Sequence, residues 1–389
     1  MGKACNVCDN SKMNLVYESA DNLSLTTMNK LVPGRTSVYF CECCGHLQTN
    51  GLKNLHQYYA EEYEINLTSE DQDQLYGIIN GQQVYRAAQQ ANVLMKKVKL
   101  KHGWRVLDYG CAKSQTLKIV LGQNTNINPF MFDVTDKYIP YWQTFPKAAE
   151  WSTHTPNFAW NGTMDVVLSF YALEHVEDLH EAIGNIKKLL KPGGIFYFLV
   201  PNVYENSADF IVADHVNHFS RSSLKTLLLR GGFMDIDIDA TSHDAAFVVS
   251  ATLAQERGSD SVGSINIDNA EICESKDAVM KMAGYWSDVV GRIQAFEDLI
   301  DEGGLAIYGA GFYGNFIATA MKQPEKIICF FDQNQYLQKT NIHNRPVLSP
   351  DNISAEVQHV LVGMNPKRAR NNIAQIESWK SRNLNYFFL

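Results

Sequence analysis

The chain has 389 residues, 45% of them hydrophobic and 20% charged, with a formal net charge of −8. That describes a globular protein with ample core, long enough for two or three domains. With no lysine or arginine cluster, nucleic acid and anionic membranes are poor partners. No apolar run approaches ~18 residues and the N-terminal stretch is polar, so neither a membrane span nor a signal peptide is expected, and the expected location is cytoplasmic.

The first motif is a pair of CxxC turns, Cys5–Cys8 and Cys41–Cys44, with 32 residues between them. Each turn directs two thiolates at one ion, and Gly45 lets the backbone fold beneath it. The spacing predicts a tetrahedral zinc site closed by four sulfurs, hence structural. Cys43 is the odd thiol, and reduced cysteines without metal are the alternative. The stretch from Leu55 to Asn66 carries Tyr58, Tyr59 and Tyr63 among acidic residues, the pattern of a surface helix with a half-buried aromatic face. From Ser69 to His102, Ile78, Ile79, Val84, Tyr85, Ala88, Ala91, Leu94 and Val98 recur at helical spacing. This predicts a helical segment that covers the pocket built after it.

The segment Val106–Ser114, VLDYGCAKS, predicts a buried strand, a tight turn and a helix N-terminus. Backbone N–H groups at such a turn face a ligand, and the strand-end carboxylate of Asp108 reaches its polar groups. Of the expected glycine series only Gly110 remains, with Ala112 and Ser114 in the other places. A second apolar strand ends at Asp133, followed by Val134. An acid there accepts both hydroxyls of a ribose. A third strand ends at Phe170–Tyr171 and runs on through Glu174 and His175, and a fourth ends near Asn202. Strand and helix alternate, which predicts an α/β, doubly wound, mostly parallel sheet with its ligand outside the carboxyl ends of the strands. Phe170 or Tyr171 contacts that ligand; core packing at a strand end is the other reading.

The loop after the fourth strand holds Asp214, His215 and His218. A histidine there suits a general base, tuned by an adjacent carboxylate. Capping of the following helix, Ser220–Arg230, is the plainer role for one of them. A linker follows Gln255, then a long helix from Ser275 to Asp301. The last part opens with GAGFYG directly after an apolar strand, and Asp332 stands 23 residues after Gly309, the pattern of a Rossmann-like dinucleotide-binding half. The expected division is residues 1–68, 69–254, 255–303 and 304–389.

The order VLDYG, FD, DVVLSFYALEHV, LKPGG over residues 89–254 resembles the class I S-adenosylmethionine-dependent methyltransferases. Together with CECCGHLQT and GAGFYG, the whole arrangement resembles the sugar C-methyltransferase family. That resemblance implies S-adenosylmethionine in the central pocket, its ribose on Asp133 and its methionine end on the turn of Tyr109, Gly110, Cys111 and Ala112. It implies a keto-deoxysugar carried on a nucleoside diphosphate as acceptor, held between the central and last units. The catalytic pair of the family falls on Asp214 and His215, a further histidine on His175 and a tyrosine on Tyr63. Three departures stand out. Val212 replaces a tyrosine, Asp214 replaces a glutamate, and His243-Asp244-Ala245-Ala246 replaces a glycine-rich stretch. The alternatives are an O-methyltransferase, an NAD-dependent oxidoreductase or epimerase, and a non-catalytic binding protein.

Overall fold

The computed structural model describes residues 4–52, 58–59, 72–79, 81–123, 126–255, 269–300 and 303–389. Tyr63 and most of the aromatic stretch around it lie outside the described residues.

The central unit is a seven-stranded sheet. Its strands are β1 (Arg105–Tyr109), β2 (Asn128–Asp133), β3 (Glu150–Thr153), β4 (Met164–Phe170), β5 (Leu190–Pro201), β6 (Phe233–Asp239) and β7 (Ala246–Leu253). Their order is β3-β2-β1-β4-β5-β7-β6. The first five run parallel, and β7 enters antiparallel between β5 and β6. The inner strands are near-continuous apolar runs, with Val166, Val167, Leu168 and Phe196–Val200 all buried. A parallel sheet covered on both faces needs such strands. Helices α1 (Arg86–Lys97) and α2 (Gln115–Gly122) pack together on the face formed by Val106, Val166 and Leu199. Helices α3 (Leu179–Leu189) and α4 (Arg221–Gly231) cover the other face. Ser220 starts α4 through a capping box with Ser223, so no histidine serves as its cap.

The helical segment expected from Ser69 to His102 is helical only from Arg86 onward. Residues Leu75–Ile79 and Gln82–Tyr85 form an antiparallel hairpin instead. Asn80-Gly81 is a strong two-residue hairpin signal, Gly81 has φ of +78°, and Ile78, Ile79 and Val84 favour strands. The turn chemistry outweighs the helical spacing.

The N-terminal part forms a four-stranded sheet from Met13–Glu18, Ser37–Cys41, Leu47–Thr49 and a late strand, Asn217–His218. That last strand belongs to the loop after β5, so the loop is tied to the N-terminal sheet. The long helix α5 (Asn269–Glu297) leads to a second parallel unit. Its strands are β8 (Gly304–Tyr308), β9 (Ile327–Phe331), β10 (Asn341–Ile342), β11 (Arg345–Leu348), β12 (Val357–Val362) and β13 (Asn385–Phe388), in the order β10-β11-β9-β8-β12-β13. Helix α6 (Phe312–Ala320) follows its glycine loop. A Cβ on Gly314 would stand 1.8 Å from the Gly309 carbonyl oxygen, so the helix seats against the strand only because that residue is glycine. No described helix is long and apolar enough to cross a membrane.

Candidate functional site

Two glycine loops, one in each parallel unit, open onto one continuous cavity of about 1580 Å³. At one end is the loop after β1. Gly110 has φ of +70°, and a Cβ there would meet Ala172 Cβ at 2.8 Å. Ala112 and Ser114 occupy the left-handed region as well, at φ +45° and +54°. The backbone path of a glycine series is thus kept although two glycines are gone. Asp108 is buried, and one oxygen accepts the Ser114 hydroxyl at 2.6 Å while the other has no partner. Burial, and then the charge of Asp133, push its carboxyl up to about 7. Asp133 Oδ2 accepts the Ala112 N–H at 2.8 Å and Oδ1 the Thr135 N–H at 3.3 Å. Burial raises it to about 6. Each of its oxygens keeps a lone pair for a hydroxyl. Val134, Tyr109, Phe170 and Tyr171 line the same cavity. Tyr171 has φ of +54°, lies beneath the Arg86 guanidinium at 4.9 Å, and its hydroxyl meets His243 Nδ1 at 3.4 Å.

The middle of the cavity carries the histidines. The short turn Leu173–His175 follows β4 and presents Glu174 and His175. The loop after β5 presents His215. One carboxylate oxygen of Glu174 and one ring nitrogen each of His175 and His215 lie within 4.8 Å of one another. His215 Nδ1 is bonded to Asp209 Oδ1, and His218 Nδ1 stands 3.0 Å from Asp209 Oδ2. Asp209 is 2% exposed, and the two imidazoles hold it well below the usual carboxylate range against the effect of burial. Burial opposes the charge on His215, but Asp209, with Glu174 and Asp214, overcomes it and raises the imidazole to about 9. His175 is held down to about 4, by burial and then by the charge of His215.

Asp214, expected to tune His215, faces elsewhere. Its carboxylate accepts the Thr27 N–H at 2.7 Å and the Thr27 hydroxyl at 2.5 Å. The carboxylate bonded to His215 is Asp209, six residues earlier, inside the turn Ser207–Ile211. Tyr59 stands at His175, while the expected Tyr63 lies outside the described residues. The Tyr59 hydroxyl bonds His175 Nδ1 and donates to the Asp214 carbonyl at 2.7 Å. Asp209 and Thr27 were not named by the sequence reading, and Glu174 and Tyr59 were named there without a catalytic role.

The far end of the cavity is the loop Gly309–Tyr313, with Asp332, Asn334 and Arg368. Asp332 Oδ2 accepts the Ala310 N–H at 2.8 Å, the same arrangement that Asp133 makes with Ala112. Arg368 pairs with Asp244 at 2.7 Å across the two units.

The four N-terminal cysteines converge. Cys5 and Cys44 sulfurs are 3.7 Å apart and Cys8 and Cys41 sulfurs 3.5 Å apart, and all four lie within 4.8 Å of one another. Zinc–sulfur bonds of about 2.3 Å at tetrahedral angles give sulfur separations of roughly 3.8 Å, so the donor set fits one zinc ion.

Residues 80–238 match the family model described as a methyltransferase domain. A 99-residue stretch is 32% identical to the C-methyltransferase NovU of Streptomyces niveus, covering 24% of this chain and 24% of that protein. The chain thus spans about a quarter of the length of the curated relative it matches. Among solved structures, a S-adenosylmethionine-dependent methyltransferase from Archaeoglobus fulgidus matches at 16% identity, over 43% of this chain and 95% of that one, with a TM-score of 0.36. The CurJ carbon methyltransferase matches at 17% identity, over 43% of this chain and 55% of that one, with a TM-score of 0.35. The central α/β unit of this chain is thus the part that matches a methyltransferase domain.

Proposed function

We propose that the protein transfers a methyl group from S-adenosylmethionine to a carbon beside the ketone of a deoxysugar carried on a nucleoside diphosphate. The observation that carries this reading is the His215–Asp209 pair placed between two glycine loops in one cavity. A carbon acid needs a strong base, and a carboxylate behind an imidazole makes one. Asp209 fixes the proton of His215 on Nδ1, leaving Nε2 to take the hydrogen from the acceptor carbon. The resulting carbanion attacks the sulfonium methyl in line, and the sulfur leaves with the bonding pair. The loop of Gly110 and Asp133 orients the donor. The loop of Gly309 and Arg368 suits the diphosphate, through backbone N–H groups, a helix N-terminus and a cation. The relative named a C-methyltransferase agrees with a carbon acceptor.

Cys5, Cys8, Cys41 and Cys44 would hold a structural zinc ion, whose four thiolates leave no open position for catalysis. Its place in this reading is to fix the sheet that carries Thr49 and Asn217.

The test is incubation with S-adenosylmethionine and a panel of nucleoside diphosphate keto-deoxysugars, followed by mass spectrometry and by deuterium uptake from heavy water. Methylated product, and uptake lost in His215→Ala, are expected. Methylation of a hydroxyl without carbon exchange would overturn the carbon reading.

A further inference from the structure

We propose that Glu174 is a catalytic hydrogen-bond donor: held as the neutral acid, it donates through Oε2 to the acceptor oxygen that becomes the enolate. The inference rests on the carbon-transfer reading above. Three observations carry it. Glu174 is 1% exposed, yet it lines the cavity. Its Oε2 has no hydrogen-bond partner in the structure. One of its carboxylate oxygens lies within 4.8 Å of a ring nitrogen of His215. A buried polar atom that no protein group satisfies is costly to maintain, and one in the wall of a ligand cavity is placed to be satisfied by the ligand. A carboxyl in such a place stays neutral, and burial raises this one to about 8.

The step balances without any further reactant. His215 Nε2 takes the proton of the acceptor carbon, and the carbon–hydrogen pair forms the carbon–carbon double bond. The carbonyl π pair moves to oxygen, which accepts a hydrogen bond from Glu174. The enolate then collapses: the carbonyl reforms, carbon bonds the methyl, and the sulfonium bond breaks with its pair on sulfur. Glu174 keeps its proton throughout, and His215 returns its proton to solvent.

The pH dependence follows. Glu174 faces His215, Asp209 and Arg86, and His215 faces Asp209, Glu174, Asp214 and His175. The neutral form of His215 grows as pH rises through about 9, and the protonated form of Glu174 is lost as pH rises through about 8. The rate therefore passes through a maximum between these two values.

The experiment compares Glu174→Gln and Glu174→Ala as full-length protein, with S-adenosylmethionine and the keto-deoxysugar nucleotide that the wild type methylates. Glutamine keeps a donor at every pH. It is expected to cost less than tenfold in kcat and to abolish the alkaline decline. Alanine is expected to cost roughly 10²–10³ in kcat with KM little changed, the usual loss of one oxyanion donor. Equal loss in both variants, or an alkaline decline that survives in Glu174→Gln, would overturn the role. Infrared difference spectra decide the protonation state without any acceptor. A carboxylic-acid carbonyl band absent from Glu174→Gln and titrating above neutrality supports the proposal, and an ionised Glu174 at pH 6 overturns it. A wild type that methylates no keto-sugar refutes the carbon-transfer reading, while the infrared titration still decides the state of Glu174.

Discussion

Asp209 sets the character of His215 more than any other residue, because it holds two imidazoles on its two oxygens. Asp209→Asn keeps the shape and removes the charge. The imidazole of His215 then falls from its raised value, so the base limb of the rate profile shifts to lower pH. The turnover falls roughly a hundredfold or more, since the base is weaker and its tautomer is no longer fixed. Binding of S-adenosylhomocysteine, measured by calorimetry, stays unchanged because Asp209 does not touch that end of the cavity. The two strand-end acids make a separate prediction. Asp108 and Asp133 have folded-state values raised to about 7 and about 6, against 3.8 for an ordinary aspartate. The folded protein therefore holds their protons more tightly than the unfolded chain does. Their contribution to stability is present below about pH 4 and is lost as pH rises through 6 and 7. Thermal unfolding followed from pH 5 to 8 at fixed ionic strength is expected to show this decline, and Asp108→Asn to flatten it. Some of the site was open to reading from sequence at this scale. Asp133, His175 and His215 sit at strand ends or in loops where the alternating pattern puts ligand-facing groups. Asp209 was not, because its meeting with His215 depends on a tight turn that no spacing rule encodes.

Elements were legible wherever one period dominated. Strands β1, β2, β4, β5 and β8 are apolar runs bounded by turns and were visible, whereas β3, with the sequence EWST, and β10 to β13 were not read. The hairpin Leu75–Tyr85 was hidden because its apolar residues also fit a helical stripe, and only the Asn80-Gly81 turn separates the two readings. The loop after β1 shows the opposite case. Its residue types had departed from the glycine pattern, but its backbone had not. Ala112 pays for that path, as a left-handed conformation costs an ordinary residue about 1–2 kcal/mol. Ala112→Gly removes that strain but frees the unfolded chain, so a net gain of about 0.5–1 kcal/mol is expected. A rise in the thermal midpoint would report it. Gly110→Ala acts in the other direction, since its Cβ would stand 2.8 Å from that of Ala172, and donor affinity is the quantity it is expected to destroy. The four-cysteine cluster makes a prediction of its own. Cys8→Ser, or prolonged chelation, is expected to release about one zinc ion per chain by elemental analysis. Methyl transfer is then expected to be lost while donor binding persists, because the N-terminal sheet holds the loop that carries His215 and leaves the loop after β1 alone.

On the scale of the whole molecule, the loop after β5, which carries His215, is where the three parts of the chain meet. The N-terminal part grips it through Thr27 on the Asp214 carboxylate, the Thr49 hydroxyl donating to the His215 carbonyl at 2.6 Å, and Asn6 donating to Asn217 at 3.0 Å. The long helix α5 grips it through Trp286, which donates to the Ser207 carbonyl at 2.8 Å. The last unit grips it through Tyr313, whose hydroxyl donates to Asn206 Oδ1 at 2.8 Å and accepts the Ala208 N–H at 2.9 Å. Tyr313 is the tyrosine of GAGFYG, so the motif that reads in sequence as a nucleotide loop also braces the turn that carries Asp209. Tyr313→Phe removes these bonds, and the hydroxyl's contact with Ser207 Oγ at 3.3 Å, while keeping the ring against Trp286. If the last unit only binds the acceptor, this change raises KM and leaves kcat alone. If it braces the base, kcat falls and the pH limb of His215 moves down, because Asp209 no longer meets it squarely. The bonds to Asn206 and Ala208 favour the second result. Steady-state kinetics across pH on Tyr313→Phe, with S-adenosylhomocysteine affinity as the control for an intact donor site, is the measurement that separates them.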